Sequence, residues 1–291
     1  MFKGVFTALV TPFKDNGDVD ETALRNLVDA QLEAGIHGLV PMGTTGESPT
    51  LSHDEHIEVI RMIVNHVNGK IPIIAGTGSN CTREAVNLTK RAKDLGVTAS
   101  LQVAPYYNKP TQEGFYRHFT TIADDVDLPL IVYNIPGRSG KNIENSTTLR
   151  MAEHPNIVGV KEASGDINQM MDIIMKKSDS FIVLSGDDNM TYPLMAIGGS
   201  GVISVASNLV PDKIVAFCEA ALQGDYETAR KKHYELLPLF KAMFIETNPI
   251  PVKTSLALRG MMNEHFRLPM CPMLKENKEK LIEVLKQCEV I

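Results

Sequence analysis

Lys161 ends an apolar run in the stretch NIVGVKEASG, residues 156–165. An ammonium group in that position is poorly solvated, and burying it unpaired is costly. At its ordinary pKa of about 10.4, roughly one lysine in a few thousand is neutral at pH 7. Desolvation favours the neutral amine. Holding half of the population neutral at pH 7 takes roughly 4 kcal/mol. A neutral amine attacks a carbonyl and forms a Schiff base. The iminium then acts as an electron sink, so the adjacent carbon loses a proton and becomes a nucleophilic enamine. The plainer alternative pairs Lys161 with Glu162 or extends it to solvent.

Other residues could serve the same chemistry. Tyr133 ends the preceding apolar run, and a phenol there can shuttle protons while a carbinolamine forms and loses water. In GTTGE (43–47), Thr44 and Thr45 lie between glycines that allow a tight turn. Their hydroxyls and the local N–H groups could hold a carboxylate. Arg138, past a Pro-Gly turn, offers a fork for a second carboxylate. Taken alone, it reads more often as a surface arginine. Tyr106 and Tyr107 form a pair of the kind more often used for packing.

Rival chemistries find less support. GTGSN (76–80) lacks the GK[ST] ending of a P-loop. GGSG (198–201) precedes an apolar run and does not follow one, while Asp187 and Asp188 would repel a phosphate. A non-phosphorylated substrate is expected. HDEH (53–56) lacks the HExxH spacing of a zinc site and reads as a polar helix face. Asp187 and Asp188 have no evident third ligand, so no metal is expected.

Such groups must be carried to one place by the fold. Eight apolar runs recur: 4–10, 37–42, 71–76, 98–104, 129–134, 156–161, 181–186 and 201–206. Helical patterns separate them. Leu24, Leu27, Val28, Gln31 and Leu32 share one helix face that stops at Gly35. Ser52 and Glu55 form a capping box. Thr82 is expected to cap the next helix, with Gly96 just past its end. Eight alternating units predict an α/β fold, a (β/α)8 TIM barrel, over residues 1–224. No dinucleotide motif follows the first run, which argues against a doubly wound sheet. The remaining patterns predict a C-terminal helical extension over 225–291. In such barrels the site lies at the C-terminal ends of the strands. There the sequence places Thr11-Pro12, GTTGE, GTGSN, PYYNKP (105–110), YNIPGRSG (133–140), KEASG (161–165), GDDN (186–189) and SNLVP (207–211).

Bulk properties narrow the setting. The chain has 291 residues, a formal net charge of -6, 43% hydrophobic and 22% charged residues. There is no basic stripe, so a nucleic-acid partner is not expected. The cysteines Cys81, Cys218, Cys271 and Cys288 are scattered, which fits a reducing cytoplasm. The N-terminal apolar run is broken by Pro12 and reads as a strand. No run approaches the roughly 18 apolar residues of a membrane span.

GTTGE, PYYNKP, YNIPGRSG, KEASG, SGDD, GVISV and NPIPVK (248–253) occur in this order across most of the chain. Together they resemble the dihydrodipicolinate synthase branch of the pyruvate-dependent class I aldolase family, which includes N-acetylneuraminate lyase. The resemblance implies a carbon–carbon lyase that condenses pyruvate with L-aspartate 4-semialdehyde in lysine and diaminopimelate biosynthesis. It implies no cofactor, only a covalent imine of pyruvate on Lys161. Tyr133, Thr44 and Tyr107 are implied as a proton relay, with Tyr107 reaching a neighbouring subunit. Thr45, Arg138, Gly186 and the Ile203 carbonyl are implied in substrate binding, and a homotetramer built as a dimer of dimers in assembly. Feedback by L-lysine would involve Ser48, His53, His56, Asn80, Glu84 and Tyr106. Pro49 departs from the small residue expected beside Ser48. Arg138 favours this branch over the sialic-acid branch. The alternatives are a sibling aldolase, cleaving N-acetylneuraminate or a 2-keto-3-deoxy sugar acid, and a non-catalytic barrel with a binding role.

Overall fold

The computed structural model describes residues 2–291. All eight apolar runs form strands: β1 Gly4–Ala8, β2 Gly38–Val40, β3 Ile74–Gly76, β4 Ala99–Val103, β5 Leu130–Asn134, β6 Ile157–Glu162, β7 Ile182–Ser185 and β8 Gly201–Ser204. The strands are parallel, in the order β2-β1-β8-β7-β6-β5-β4-β3. A bridge between Leu39 and Ile73 joins the two ends, so the sheet closes into a (β/α)8 barrel.

The helices are α1 Glu21–Glu33, α2 His53–Val67, α3 Thr82–Asp94, α4 Gln112–Asp125, α5 Pro136–Ser139, α6 Asn145–Met151, α7 Ile167–Lys176, α8 Thr191–Ala196, α9 Pro211–Leu222, α10 Tyr226–Ala242, α11 Ile250–Leu258 and α12 Lys275–Gln287. The capping box at Ser52 and Glu55 forms as expected. Thr82 does not cap α3: Cys81 holds the cap position without a side-chain bond. The Thr82 hydroxyl instead meets His118 Nδ1 at 2.9 Å, a contact across to α4 that local sequence does not reveal.

Strand residues alternate between two apolar environments, as the period of two demands. Phe6, Ala8, Leu101, Ile131, Tyr133, Leu184 and Ile203 fill the barrel interior. Val5, Val202 and their like face the helices. Leu236, Leu239 and Phe240 of α10, Val252 and Leu256 of α11, and Leu281 and Leu285 of α12 join that same outer cluster. The helices after residue 225 are therefore packed onto the barrel, and they bring residues of the 248–253 stretch to its mouth.

Two glycines make β1–β8 contact possible. A Cβ on Gly201 would lie 2.0 Å from the Gly4 carbonyl oxygen, and Gly201 holds φ +141°. That oxygen is strand backbone and cannot yield without breaking the pairing. Gly201→Ala should cost about 3–5 kcal/mol of stability, strain and overpacking together, measured by urea unfolding.

Candidate active site

Register decides where Lys161 points. It lies opposite Tyr133 on β5 and opposite Leu184 on β7. Both neighbours face the interior, so Lys161 does too, and Glu162 must face outward. Glu162 is fully buried there. Its carboxylate accepts from Asn134 Nδ2 at 3.0 Å, Gln169 Nε2 at 3.0 Å and the Ser164 N–H at 2.6 Å. The ion pair with Lys161 that the sequence left open does not form; one residue of separation puts the two on opposite faces.

Lys161 is 6% exposed, and its Nζ lies 4.1 Å from the centre of the Tyr133 ring. Burial pulls its pKa down to about 7; the Arg138 cation also lowers it, while Asp188 and Asp187 pull it back up. The result is an amine that is half neutral near pH 7. Burial pushes the Tyr133 phenol above its ordinary range, opposed by the Arg138 cation and the neighbouring Thr44 hydroxyl. Tyr133 thus keeps its proton at neutral pH and can donate it to an oxygen beside Lys161.

Loops after other strands close the mouth. The GTTGE turn is held by the Gly46 N–H on the Gly43 carbonyl and the Glu47 N–H on the Thr44 carbonyl, both 3.1 Å. The Thr11 hydroxyl donates to the Gly46 carbonyl at 2.7 Å. Asp188 is buried, and its Oδ2 accepts from the N–H groups of Val205 at 2.9 Å and Ala206 at 3.1 Å. It therefore ties the loop after β7 to the loop after β8. Desolvation raises the pKa values of both Asp187 and Asp188.

Thr44, Thr45, Tyr133, Arg138, Lys161 and Gly186 line one cavity of about 80 Å³. Six of the eight residues expected at the site are thus brought together. Ile203 is not among the lining; its side chain fills the interior below, and Val205 lines the cavity instead. Tyr107 is 90% exposed, with a left-handed φ of 72°, and reaches no part of the cavity within its own chain.

A second cavity, of about 450 Å³, shares a wall with the first through Thr44, Tyr133 and Arg138. Ser48, His53, His56, Glu84 and Tyr106 line it. Asn80 sits beside it, donating to the Tyr106 carbonyl at 3.1 Å. His56 is not part of a polar outer face. It is buried, its Nε2 donates to the Gly76 carbonyl at 2.7 Å, and burial lowers its pKa to about 4. Among the described residues, no group of three or more His, Cys, Asp or Glu side chains could hold a metal ion.

Asn248 was given no role by its sequence. Its Nδ2 donates to Thr45 Oγ1 at 3.0 Å, and its carbonyl accepts from Arg138 Nη2 at 3.0 Å. In the sequence, Asp187 and Asp188 bear only on phosphate and metal binding; their effect on Lys161 depends on which loops fold back together.

Residues 1–288 match the model of the dihydrodipicolinate synthetase family. A 4-hydroxy-tetrahydrodipicolinate synthase from Thermodesulfovibrio yellowstonii is 54% identical, over 100% of both chains. The crystal structure of the chloride-inhibited dihydrodipicolinate synthase from Acinetobacter baumannii complexed with pyruvate superposes with a TM-score of 0.98, at 45% identity over 100% of each chain. The lysine-bound enzyme from Cyanidioschyzon merolae superposes with a TM-score of 0.97, at 41% identity over 100% of this chain and 99% of that one.

The charge balance at Lys161 can be tested by itself. Asp188→Asn should move the pH midpoint of Lys161 labelling by a small amine-reactive reagent downward. Arg138→Ala should move it upward, each by roughly half a pH unit or more, read by peptide mass spectrometry.

Proposed function

The chain belongs to the dihydrodipicolinate synthetase family, and on that premise we propose that it condenses pyruvate with L-aspartate 4-semialdehyde to give 4-hydroxy-tetrahydrodipicolinate, a step of lysine and diaminopimelate biosynthesis. The single observation that carries the mechanism is the desolvated amine of Lys161 under the Tyr133 ring.

Neutral Lys161 Nζ attacks C2 of pyruvate. Tyr133 gives its proton to the departing oxygen, and loss of water leaves the iminium. Thr45 and the N–H groups of its turn hold the pyruvate carboxylate. The Tyr133 phenolate takes a C3 proton to give the enamine, which attacks the aldehyde carbon of the second substrate; the aldehyde oxygen takes that proton back from Tyr133 and becomes a hydroxyl. Arg138 holds the carboxylate of that substrate, Gly186 lines the same cavity, and the Ile203 carbonyl is assigned a place beside the site, outside its lining. The substrate's amino group then adds to the imine carbon and expels Lys161, closing the ring. Apart from the lysine imine, no cofactor takes part.

Thr44 continues the relay from Tyr133, beside which it lines the cavity. Tyr107 completes it from a second subunit. An exposed tyrosine on a left-handed backbone fits a role across an interface better than one within its own chain. The assembly we propose is a dimer of dimers. The helical segment from residue 225 acts as an extension that seals the site, through Asn248. The larger cavity suits L-lysine as a feedback inhibitor, since it offers a carboxylate at Glu84, imidazoles and hydroxyls. The lysine-bound relative supports that reading. The four free cysteines suit a reducing cytoplasm.

Borohydride reduction in the presence of pyruvate, followed by peptide mapping, should place the adduct on Lys161. Lys161→Ala should lower kcat/KM by at least ~10³-fold. Arg138→Ala should weaken use of the aldehyde more than formation of the enamine, and assays with N-acetylneuraminate or 2-keto-3-deoxy sugar acids should give little turnover. An adduct on another lysine would overturn the assignment.

A further inference from the structure

Glu47 and Lys253 form an ion pair with side chains 1% and 0% exposed. Glu47 closes the GTTGE turn in a left-handed conformation, φ 55°. Lys253 is in the first turn of α11, its Nζ 4.3 Å from the Phe13 ring centre and 5.1 Å from that of Phe266. The nearby Arg267 is committed elsewhere, to Glu55 at 2.7 Å and to the Gly17 and Thr50 carbonyls. Burial lowers the Lys253 pKa against the pull of Glu47, and Glu47 Oε2 is buried with no hydrogen-bond partner.

As a source of stability this pair is poor. Taking both ions out of water costs several kcal/mol for each, and apolar side chains of similar volume often do as well or better. An unpartnered carboxylate oxygen adds to the cost. What the pair does is geometric. Glu47 is two residues from Thr45, and Lys253 is five residues from Asn248. Between these two arms run the contacts already described: Asn248 Nδ2 to Thr45 Oγ1, and Arg138 Nη2 to the Asn248 carbonyl, each 3.0 Å. Fixing Glu47 against Lys253 fixes the distance from the loop after β2 to the start of α11. That distance in turn sets Thr45 and Arg138.

We propose that the Glu47–Lys253 pair is a positioning device that holds the two carboxylate-binding residues, Thr45 and Arg138, in mutual register. Neither member touches substrate. The proposal rests on the reading of Thr45 and Arg138 given above. It predicts that stability and substrate affinity separate when the pair is replaced by apolar side chains.

The test compares the full-length enzyme with the E47L/K253M double variant and with Glu47→Gln. The double variant should keep a Tm near that of the unsubstituted enzyme and still trap a borohydride-reduced imine at saturating pyruvate. Its KM for both pyruvate and aspartate semialdehyde should rise about 10–100-fold, with kcat changed less. Unchanged KM values in the folded double variant would overturn the proposal. If that variant does not fold, Glu47→Gln decides: it keeps size and polar atoms but removes one charge. It should raise both KM values about tenfold, and unchanged values would again overturn the role. An unsubstituted enzyme that traps no imine would overturn the pyruvate reading, and this proposal with it.

Discussion

Water is kept from the Lys161 amine, and most of the active-site architecture follows from that exclusion. The barrel interior below is filled by Phe6, Leu101, Ile131, Leu184 and Ile203, so no solvent approaches from within. The Tyr133 ring covers one side. Burial alone would drive the amine far towards neutrality; Asp187 and Asp188 return part of the charge, and Arg138 removes some of it again. The balance lands near the pH at which an amine can both attack a carbonyl and be protonated on release. The contributors come from the ends of three neighbouring strands, β5, β6 and β7, which is why the pairing of those strands matters to one nitrogen.

The two cavities share Thr44, Tyr133 and Arg138. A ligand in the larger one therefore lies against the side chains to which we assign proton transfer and substrate binding in the smaller one. Coupling between them needs no long path, only a shift of a wall both already use. The same economy holds at Asn248, whose amide serves Thr45 while its carbonyl serves Arg138.

Much of this was legible in the residues, and for physical reasons. Strand count and order followed from short apolar runs spaced one βα unit apart. The placement of Lys161 and Tyr133 at the barrel rim followed from their places at strand ends, while register decides that both face the lumen. What local pattern does not carry is partnership across the chain. Glu162 reads as a neighbour of Lys161, yet the strand's alternation sends it to Asn134 and Gln169. His56 reads as a polar surface residue until the Gly76 carbonyl is seen beneath it. Asn248 lies 203 positions from Thr45 and 110 from Arg138, and Lys253 lies 206 from Glu47. No periodicity encodes a contact at that separation. Tyr107 is the reverse case: its motif points to a role, but its own chain leaves it 90% exposed.

The central claim is that Lys161 of the free enzyme is an amine near half-neutrality at physiological pH. Its titration can be followed directly by NMR of protein carrying ¹³C at the lysine ε-carbon, with the resonance assigned by its loss in Lys161→Ala. A midpoint at about 7 is the predicted result. A midpoint of about 9 or above, in the range of an ordinary solvated lysine, would contradict the account.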